Sequence, residues 1–270
     1  MNRIINLIIL SFLCSYPVVD FQLNKTYNSP VDDNNSNGFL RSNGIIDIES
    51  HNMETIWIST SNGLGKAYLE NSELTFESIM DSNLPIGGNP ALVVQNNIIA
   101  VSGVVQEYAP VTDSYEPKGT GIGYSTDNGE SWNYMVQPIC KDCTDFINIP
   151  WGDQELVSLA VTAEINNVSY DVGIKDSYIY AASWAGGLRR FNYNNENPSW
   201  ETIPLPMDNQ PNLICDQITE ETYELNPRDP GDGGNHNHKG FSILGTDEYI
   251  WAGTAHGINR GTIRENDDCI

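Results

Sequence analysis

The chain has 270 residues, and its 36 Asp and Glu side chains against 13 Lys and Arg give a formal net charge of −23 at pH 7. This charge argues against a nucleic-acid partner, because such a partner requires a basic patch to neutralise its phosphates. The length suits one large all-β domain, and an acidic surface keeps a secreted protein soluble.

The N-terminal residues Met1–Val19 are typical of a secretory signal peptide. Their apolar run, Ile4–Leu13, is shorter than a transmembrane helix needs, and no later apolar run is long enough to cross a membrane. Large residues precede Cys14 where a lipobox has small ones, which disfavours lipidation. We therefore expect a secreted, periplasmic or cell-surface protein with no membrane insertion after signal cleavage. A polar leader over residues 20–42 follows the signal.

Four of the five cysteines remain once the signal peptide is removed, an even number that is typical of an oxidising compartment. Cys140 and Cys143 form a C-x-x-C motif, but no His follows it as in a c-type haem site. No second C-x-x-C completes a zinc site. We therefore predict a disulfide between these two cysteines, or between one of them and Cys215.

From Asn43 onward, an apolar strand with small residues at its end recurs along the chain. Three copies precede a Gly turn, and a fourth is interrupted before its third strand: Thr55–Thr60, Tyr178–Ser183, Tyr249–Thr254 and Asn97–Gly103. The copies align on Trp57, Ile99, Tyr180 and Trp251, with successive spacings of 42, 81 and 71 residues. The first spacing is typical of a β-propeller blade, and inserted loops lengthen the others.

These strands predict an all-β fold, a β-propeller of four-stranded antiparallel blades. About four blades are present and the last is incomplete, so we expect a fragment of a larger propeller. The predicted blades are residues 43–80, 89–137, 155–206 and 238–270. Inserted loops are expected at residues 104–118, 138–154 and 207–237, and a lengthened turn at Glu164–Asp176.

The segment GIGYSTDNGESW contains the pattern S-x-D-x-G-x-x-W at Ser125, Asp127, Gly129 and Trp132. Gly129 can take a positive φ, and the Asp127 carboxylate can accept hydrogen bonds from its own turn. Trp132 can fold under that turn as an apolar plug. This segment resembles the Asp-box of sialidase-like (BNR) β-propellers. The resemblance implies a structural turn between the third and fourth strands of a blade, away from any active site.

The fourth predicted blade also resembles two-component-regulator propeller repeats, in the run from Trp251 to Arg260. In a propeller, turns between second and third strands share one face with the connections between blades. All three inserted loops fall on that face, and loops on rigid scaffolds often carry function. We therefore predict that this face binds a protein or a carbohydrate. Candidate contacts are aromatic, acidic or imidazole side chains: Tyr108, Asp113, Tyr115, Glu116, Asp145, Trp151, Asp153, Trp184 and His256.

A metal site is a weaker hypothesis. His236 and His238 would point the same way on an extended segment, with Asp229 and Asp232 nearby. The surrounding Asp-Pro-Gly-Asp-Gly-Gly run is more typical of a polar loop. We predict no cofactor; calcium binding by some of the carboxylates is a weak alternative, because the sequence has no D-x-D-x-D-G run.

Sialidase-type catalysis would require an arginine triad, a Tyr nucleophile with a Glu partner, and an acid, as the resemblance implies. No Arg after the signal peptide lies in an R-I-P context: Arg41, Arg189, Arg190, Arg228, Arg260 and Arg264. We therefore predict a non-enzymatic module for recognition or scaffolding. The alternative is an Asp-box-type glycoside hydrolase that cleaves a polysaccharide with two carboxylates.

Overall fold

The computed structural model describes residues 39–52, 55–70, 73–140, 146–159, 163–215, 217, 223–226, 236–264 and 269–270. The predicted signal peptide, and the predicted leader up to residue 38, lie outside these ranges. Regular structure within them consists of β-strands and one short 3-10 turn, so the all-β prediction is confirmed. Among the described residues, no helix is long and apolar enough to span a membrane.

Four sheets follow one another along the described chain, and a fifth combines two strands from between the second and third sheets with one strand from between the third and fourth. The first sheet contains β1 (Ile45–Ser50), β2 (Thr55–Thr60), β3 (Gly63–Glu70) and β4 (Glu73–Ser78). The second sheet contains β5 (Leu92–Gln95), β6 (Ile98–Ala109), β7 (Ser114–Ser125) and β8 (Asn133–Met135). The insertion sheet contains β9 (Phe146–Trp151), β10 (Gln154–Leu159) and β15 (Glu224–Leu225). The third sheet contains β11 (Ser169–Lys175), β12 (Tyr178–Ser183), β13 (Gly187–Asn192) and β14 (Glu201–Ile203). The fourth sheet contains β16 (Gly240–Gly245), β17 (Ile250–Thr254) and β18 (Ile258–Gly261).

The first to fourth sheets pack face to face in chain order, and each interface is an apolar core. The core between the first and second sheets contains Trp57, Leu64, Leu92, Ile99, Val101 and Trp132. The core between the second and third sheets includes Ile98, Ala100, Ile122, Ile179 and Phe191. The core between the third and fourth sheets includes Tyr180, Leu188, Ile243, Ile250 and Ala252. Burial of these faces stabilises the series. Within the described residues the series is open and does not close into a ring.

The second sheet differs by one residue from the repeat alignment made on the sequence. Trp57 and Tyr180 face the sheet that follows them, whereas Ile99 faces the sheet before it. Ala100, which faces the third sheet, is the structural equivalent of Trp57. A shift of one residue moves every side chain of a strand to the opposite face. Both faces of β6 are apolar here, so the sequence pattern does not fix the register.

The third sheet differs from the predicted third blade in its first strand. The sequence places that strand near Glu155, but β10 pairs with β9 and β15 in the insertion sheet instead. Strand β11 supplies the first strand of the third sheet, within the predicted turn Glu164–Asp176. The insertion sheet has its own core, which comprises Trp151, Leu156, Tyr223, Leu225 and Cys269.

The disulfide pattern also differs from one of the two predicted pairings. Cys215 forms a disulfide with Cys269, their Cα atoms 6.2 Å apart, so Cys215 does not pair with the C-x-x-C motif. This bond ties the chain end to the core of the insertion sheet. Cys140 is also disulfide-bonded. Cys143 lies outside the described residues, so its pairing with Cys140 stays a prediction.

The Asp-box-like segment forms the turn between β7 and β8, the third and fourth strands of the second sheet. The Asp127 carboxylate accepts hydrogen bonds from the Ser125 hydroxyl at 2.7 Å and from the Ser131 N–H at 2.9 Å. The hydrogen bond from the Ser131 hydroxyl, followed by these two contacts, lowers the pKa of Asp127 to about 2. Gly129 has a φ of +83°, and an added Cβ would lie 2.4 Å from the Trp57 ring. Glycine is therefore required here both by conformation and by space.

Candidate functional site

The ends at which each second strand turns into the third lie side by side in the four sheets, and we call this surface the turn face. The Asn89 N–H donates to the Thr60 carbonyl at 2.9 Å and joins the second sheet to the first. The Ser102 hydroxyl donates to the Ser169 carbonyl at 2.9 Å and joins the second sheet to the third. His238, just before the fourth sheet, contacts the Ala185 carbonyl of the third sheet at 3.3 Å. The Asp-box-like turn lies at the opposite ends of the strands.

Three buried asparagines hold the turn face together at the junctions between sheets. The Asn89 amide donates to the Ser102 carbonyl at 2.9 Å, and the Asn167 amide oxygen accepts from the Gly119 N–H at 2.7 Å. The Asn237 amide donates to the Pro206 carbonyl at 2.8 Å, and its oxygen accepts from the Thr254 hydroxyl at 2.7 Å. Each of these side chains is buried. Because such groups are costly to leave unpaired, these bonds fix where the second, third and fourth sheets begin.

The first strand of three sheets carries a β-bulge at the turn face. The register shifts lie between Ile45 and Asp47, between Ser169 and Asp171, and between Gly240 and Ser242. The extra residues are Ile46, Tyr170 and Phe241, all exposed. A bulge re-aims a side chain out of the strand alternation, and bulges are frequent beside functional sites. Here they present large apolar side chains to the solvent.

Two of these side chains join Trp184 in a continuous group of rings, which we call the aromatic patch: Tyr170, Trp184 and Phe241. The ring centroids of Trp184 and Phe241 are 5.2 Å apart, and those of Phe241 and Tyr170 are 5.9 Å apart. The rings stay 38%, 38% and 40% exposed for Tyr170, Trp184 and Phe241. The Lys239 ammonium lies 5.3 Å from the centroid of the Trp184 ring. The sequence analysis selected Trp184 but missed its two partners.

The predicted loop over residues 104–118 is instead an extension of strands β6 and β7 into a long hairpin. Tyr108 and Tyr115 lie opposite each other across it, with ring centroids 5.7 Å apart. The Tyr108 hydroxyl donates to Asp113 at 2.5 Å. Hydrogen bonds from the hydroxyls of Ser114 and Thr112 hold the pKa of Glu116 below its ordinary value. These four candidates thus lie on one hairpin, where Tyr108 and Asp113 bond to each other and Glu116 bonds to Ser114 and Thr112.

The remaining candidates are dispersed. Trp151 is only 2% exposed and packs in the core of the insertion sheet, so its selection as a surface contact is wrong. Asp153 is exposed in the turn between β9 and β10. His256 is exposed on the turn between β17 and β18, with Nδ1 3.7 Å from the Asp208 carboxylate. Asp145 lies outside the described residues.

The two histidines of the metal hypothesis lie on a 3-10 turn, His236–His238, and not on the extended segment that the hypothesis assumed. Burial lowers the pKa of His238 to about 4, so its imidazole is neutral at pH 7. Its ring packs against Gly187, where a Cβ would come within 2.8 Å. Asp229 and Asp232 lie outside the described residues. In the part of the chain that the structure describes, no three His, Cys, Asp or Glu side chains are grouped to hold a metal.

Two further carboxylates on the first strands have perturbed acidity. Burial raises the pKa of Glu49 on β1, and the nearby charges of Asp47 and Asp171 raise it further. Burial also raises the pKa of Asp171 on β11, although Asp171 accepts hydrogen bonds from the N–H groups of Ile243 and Val172. Among the described residues, these are the two carboxyl groups whose pKa is raised above the ordinary value, although Glu49, opposite Trp57, lies toward the far end of its strand from the turn face.

No protein-family model and no curated protein matches the chain. Among solved structures, it is similar to the extracellular domain described as part of a hybrid two-component system of B. thetaiotaomicron, with 15% identity, a TM-score of 0.35, and coverage of 80% of this chain and 27% of that one. It is also similar to an extracellular domain described as part of a one-component system of that organism, with 12% identity, a TM-score of 0.25, and coverage of 85% of this chain and 35% of that one. A computationally designed protein is similar with 8% identity, a TM-score of 0.22, and coverage of 81% of this chain and 83% of that one. At these TM-scores the likeness establishes neither a family nor a function, and the chain spans 27% and 35% of the two natural domains.

Proposed function

We propose that this chain is a non-enzymatic extracellular recognition module that binds a carbohydrate at its turn face through the aromatic patch. The observation that carries the proposal is the chain of three exposed rings, Tyr170, Trp184 and Phe241, in mutual contact. Covering exposed aromatic faces of this size with an apolar surface, such as the C–H face of a sugar ring, stabilises the complex.

The three rings are held in place by strands, which suits recognition of a ligand. Tyr170 and Phe241 lie on strands, and Trp184 directly follows β12, so all three are carried by sheets that pack on each other. Sites on strands hold their geometry better than sites on long loops. Lys239 beside Trp184 supplies donors for sugar hydroxyls. A protein partner with an apolar patch is the alternative occupant of the same rings.

We also propose that the four sheets are blades of an Asp-box propeller. The hydrogen bonds of Ser125 and Asp127, the buried Trp132 and the location of their turn between third and fourth strands support this proposal. The disulfide between Cys215 and Cys269 supports an oxidising, extracellular or periplasmic compartment.

A glycoside hydrolase remains the second candidate, and Glu49 and Asp171 are the acids that favour it. Hydrolysis requires one carboxyl group that stays protonated, and the pKa values of both are raised. Glu116, which the sequence analysis had selected, has a lowered pKa and does not suit the role of acid. We favour binding because the Asp171 carboxylate already caps the bulge of its own strand and bonds to β16.

The test is affinity electrophoresis of the full chain through gels that contain a panel of polysaccharides, with released reducing ends measured in parallel. We expect at least one polysaccharide to retard the protein, and Trp184→Ala and Phe241→Ala to abolish the retardation. Leu69→Ala, which removes an exposed apolar side chain from the first sheet, is the matched control and should bind normally. Retardation that survives both aromatic substitutions, or no retardation at all, would contradict carbohydrate binding at the patch. Reducing ends that disappear in Glu49→Gln or Asp171→Asn would favour the hydrolase.

A further inference from the structure

In the first and third sheets, an aromatic side chain lies opposite a cation on the face turned toward the next sheet, whereas the second sheet has Ala100 opposite Tyr124 there. Trp57 lies opposite Lys66, whose ammonium is 5.3 Å from the Trp57 ring. Tyr180 lies opposite Arg190, whose guanidinium is 4.0 Å from the neighbouring Tyr178 ring. In both sheets the following sheet covers this face, and Trp57 and Tyr180 are buried. The pair thus marks an interface between sheets.

The fourth sheet carries the same pair on a face that no described sheet covers. Trp251 lies opposite Arg260, whose guanidinium is 4.8 Å from the neighbouring Tyr249 ring. Leu244 and Ile258 extend this face, and Ile258 is 79% exposed. The third sheet contacts the fourth through this arrangement of side chains. The fourth sheet has the same arrangement on its outer face, where no described sheet contacts it.

The outer face of the first sheet is the complementary one, and it is covered in part: Ile58 is buried, the Leu40 side chain lies against Gly65, and the Ser78 hydroxyl donates to the Phe39 carbonyl. Ile48 pairs with Ile58 and is the structural equivalent of Val172 in the third sheet and Ile243 in the fourth. Val172 and Ile243 each contact the preceding sheet. Leu69 and Leu74 pair across β3 and β4 on this same face, and both are exposed. The part of this face that carries Ile48, Leu69 and Leu74 is therefore exposed, whereas the third and fourth sheets bury the corresponding faces.

Charge is depleted on both faces, although the chain carries a net charge of −23. The described side chains of the first sheet's outer face are all uncharged: Ile48, Ser50, Ile56, Ile58, Thr60, Ala67, Leu69, Leu74, Phe76 and Ser78. The outer face of the fourth sheet carries Arg260 and no acid among its described strand residues. Depletion of charge with retention of aromatic residues and Arg is the composition of interface centres.

We propose that the outer face of the fourth sheet in one copy of this chain packs against the outer face of the first sheet in a second copy. The contact repeats, between molecules, the sheet-to-sheet packing that the chain makes within itself. Such a head-to-tail interface either closes into a ring or continues as an open assembly. The proposal is independent of carbohydrate binding, because the aromatic patch lies at the strand ends.

The test is sedimentation velocity of the full chain over a concentration series in high salt, which screens the repulsion between acidic molecules. We expect wild type to form dimers and larger species as the concentration rises. Ile258→Asp damages the fourth-sheet face and Leu74→Asp damages the first-sheet face, so each variant alone should be monomeric. An equimolar mixture of the two retains one intact pair of faces and should form a dimer that grows no further.

Val111→Asp at the exposed tip of the β6–β7 hairpin adds the same charge elsewhere and should assemble like wild type. All three substituted side chains are exposed, so unfolding midpoints should match wild type within error. A wild type that remains monomeric throughout the series would overturn the proposal. So would self-association of either Asp variant alone, because that result would indicate contact between two identical faces.

Discussion

Replacement of Trp132 by Ala tests whether the turn between β7 and β8 anchors the first sheet to the second. The Trp132 ring is 5% exposed and meets the Trp57 ring edge-on, with centroids 6.0 Å apart. Loss of a buried Trp costs about 3–5 kcal/mol, because transfer free energy is lost and a cavity remains. For a chain of this size, that loss lowers the thermal midpoint by roughly 6–20 °C.

The assay is urea and thermal unfolding of wild type, Trp132→Ala and Trp184→Ala. The last variant removes the same side chain from an exposed position, so its unfolding midpoint should fall much less. Trp132→Phe should recover most of the loss, since the structure gives the buried indole N–H of Trp132 no hydrogen-bond partner among the described residues. Equal midpoints for Trp132→Ala and Trp184→Ala would refute the reasoning.

Three further predictions concern stability. The pKa of Asp127 is about 2 in the folded protein against 3.8 ordinarily, so its ionised carboxylate stabilises the fold fully above about pH 4 and this stabilisation is lost toward pH 2. In urea unfolding at a series of pH values, Asp127→Asn should therefore lose less stability than wild type between pH 4 and pH 2. His238 has a folded pKa of about 4 against 6.5, so stability should fall as the pH drops from about 6.5 to 4, and His238→Gln should remove that slope. Asn167→Ala leaves the buried Gly119 N–H unpaired and should cost about 1–3 kcal/mol by chemical denaturation, whereas exposed Asn194→Ala should cost little.

Local chemistry explains what the sequence predicted well. The turn at Ser125–Trp132 is closed by hydrogen bonds between residues two to four positions apart, so its geometry is written in a short pattern. The recurrent strands were recognisable for the same reason, since β2, β12 and β17 each end in a small hydroxyl residue before a Gly turn. Thr60 and Thr254 each donate to the carbonyl of the Gly that follows their turn.

Nonlocal pairing explains what the sequence could not predict. Strand β10 alternates like a blade strand, but its partners include β15, more than sixty residues later in the chain. Those partners bury Trp151, which as sequence looked like any loop aromatic. Tyr170 and Phe241 reach the surface because each occupies a bulge, and a bulge leaves only a one-residue break in the apolar alternation. The segments Ser169-Tyr170-Asp171 and Gly240-Phe241-Ser242 do share a small–aromatic–polar order, which is the signal that could have found them.

The most direct test of the central claim is hydroxyl-radical footprinting of the full chain with and without a saturating polysaccharide, read residue by residue by mass spectrometry. Binding at the aromatic patch predicts that Tyr170, Trp184 and Phe241 become protected from oxidation. Leu69 on the first sheet and Ile258 on the fourth should remain as reactive as in the free protein. Protection confined to Tyr108 and Tyr115 on the hairpin, with Trp184 still fully oxidised, would contradict the account.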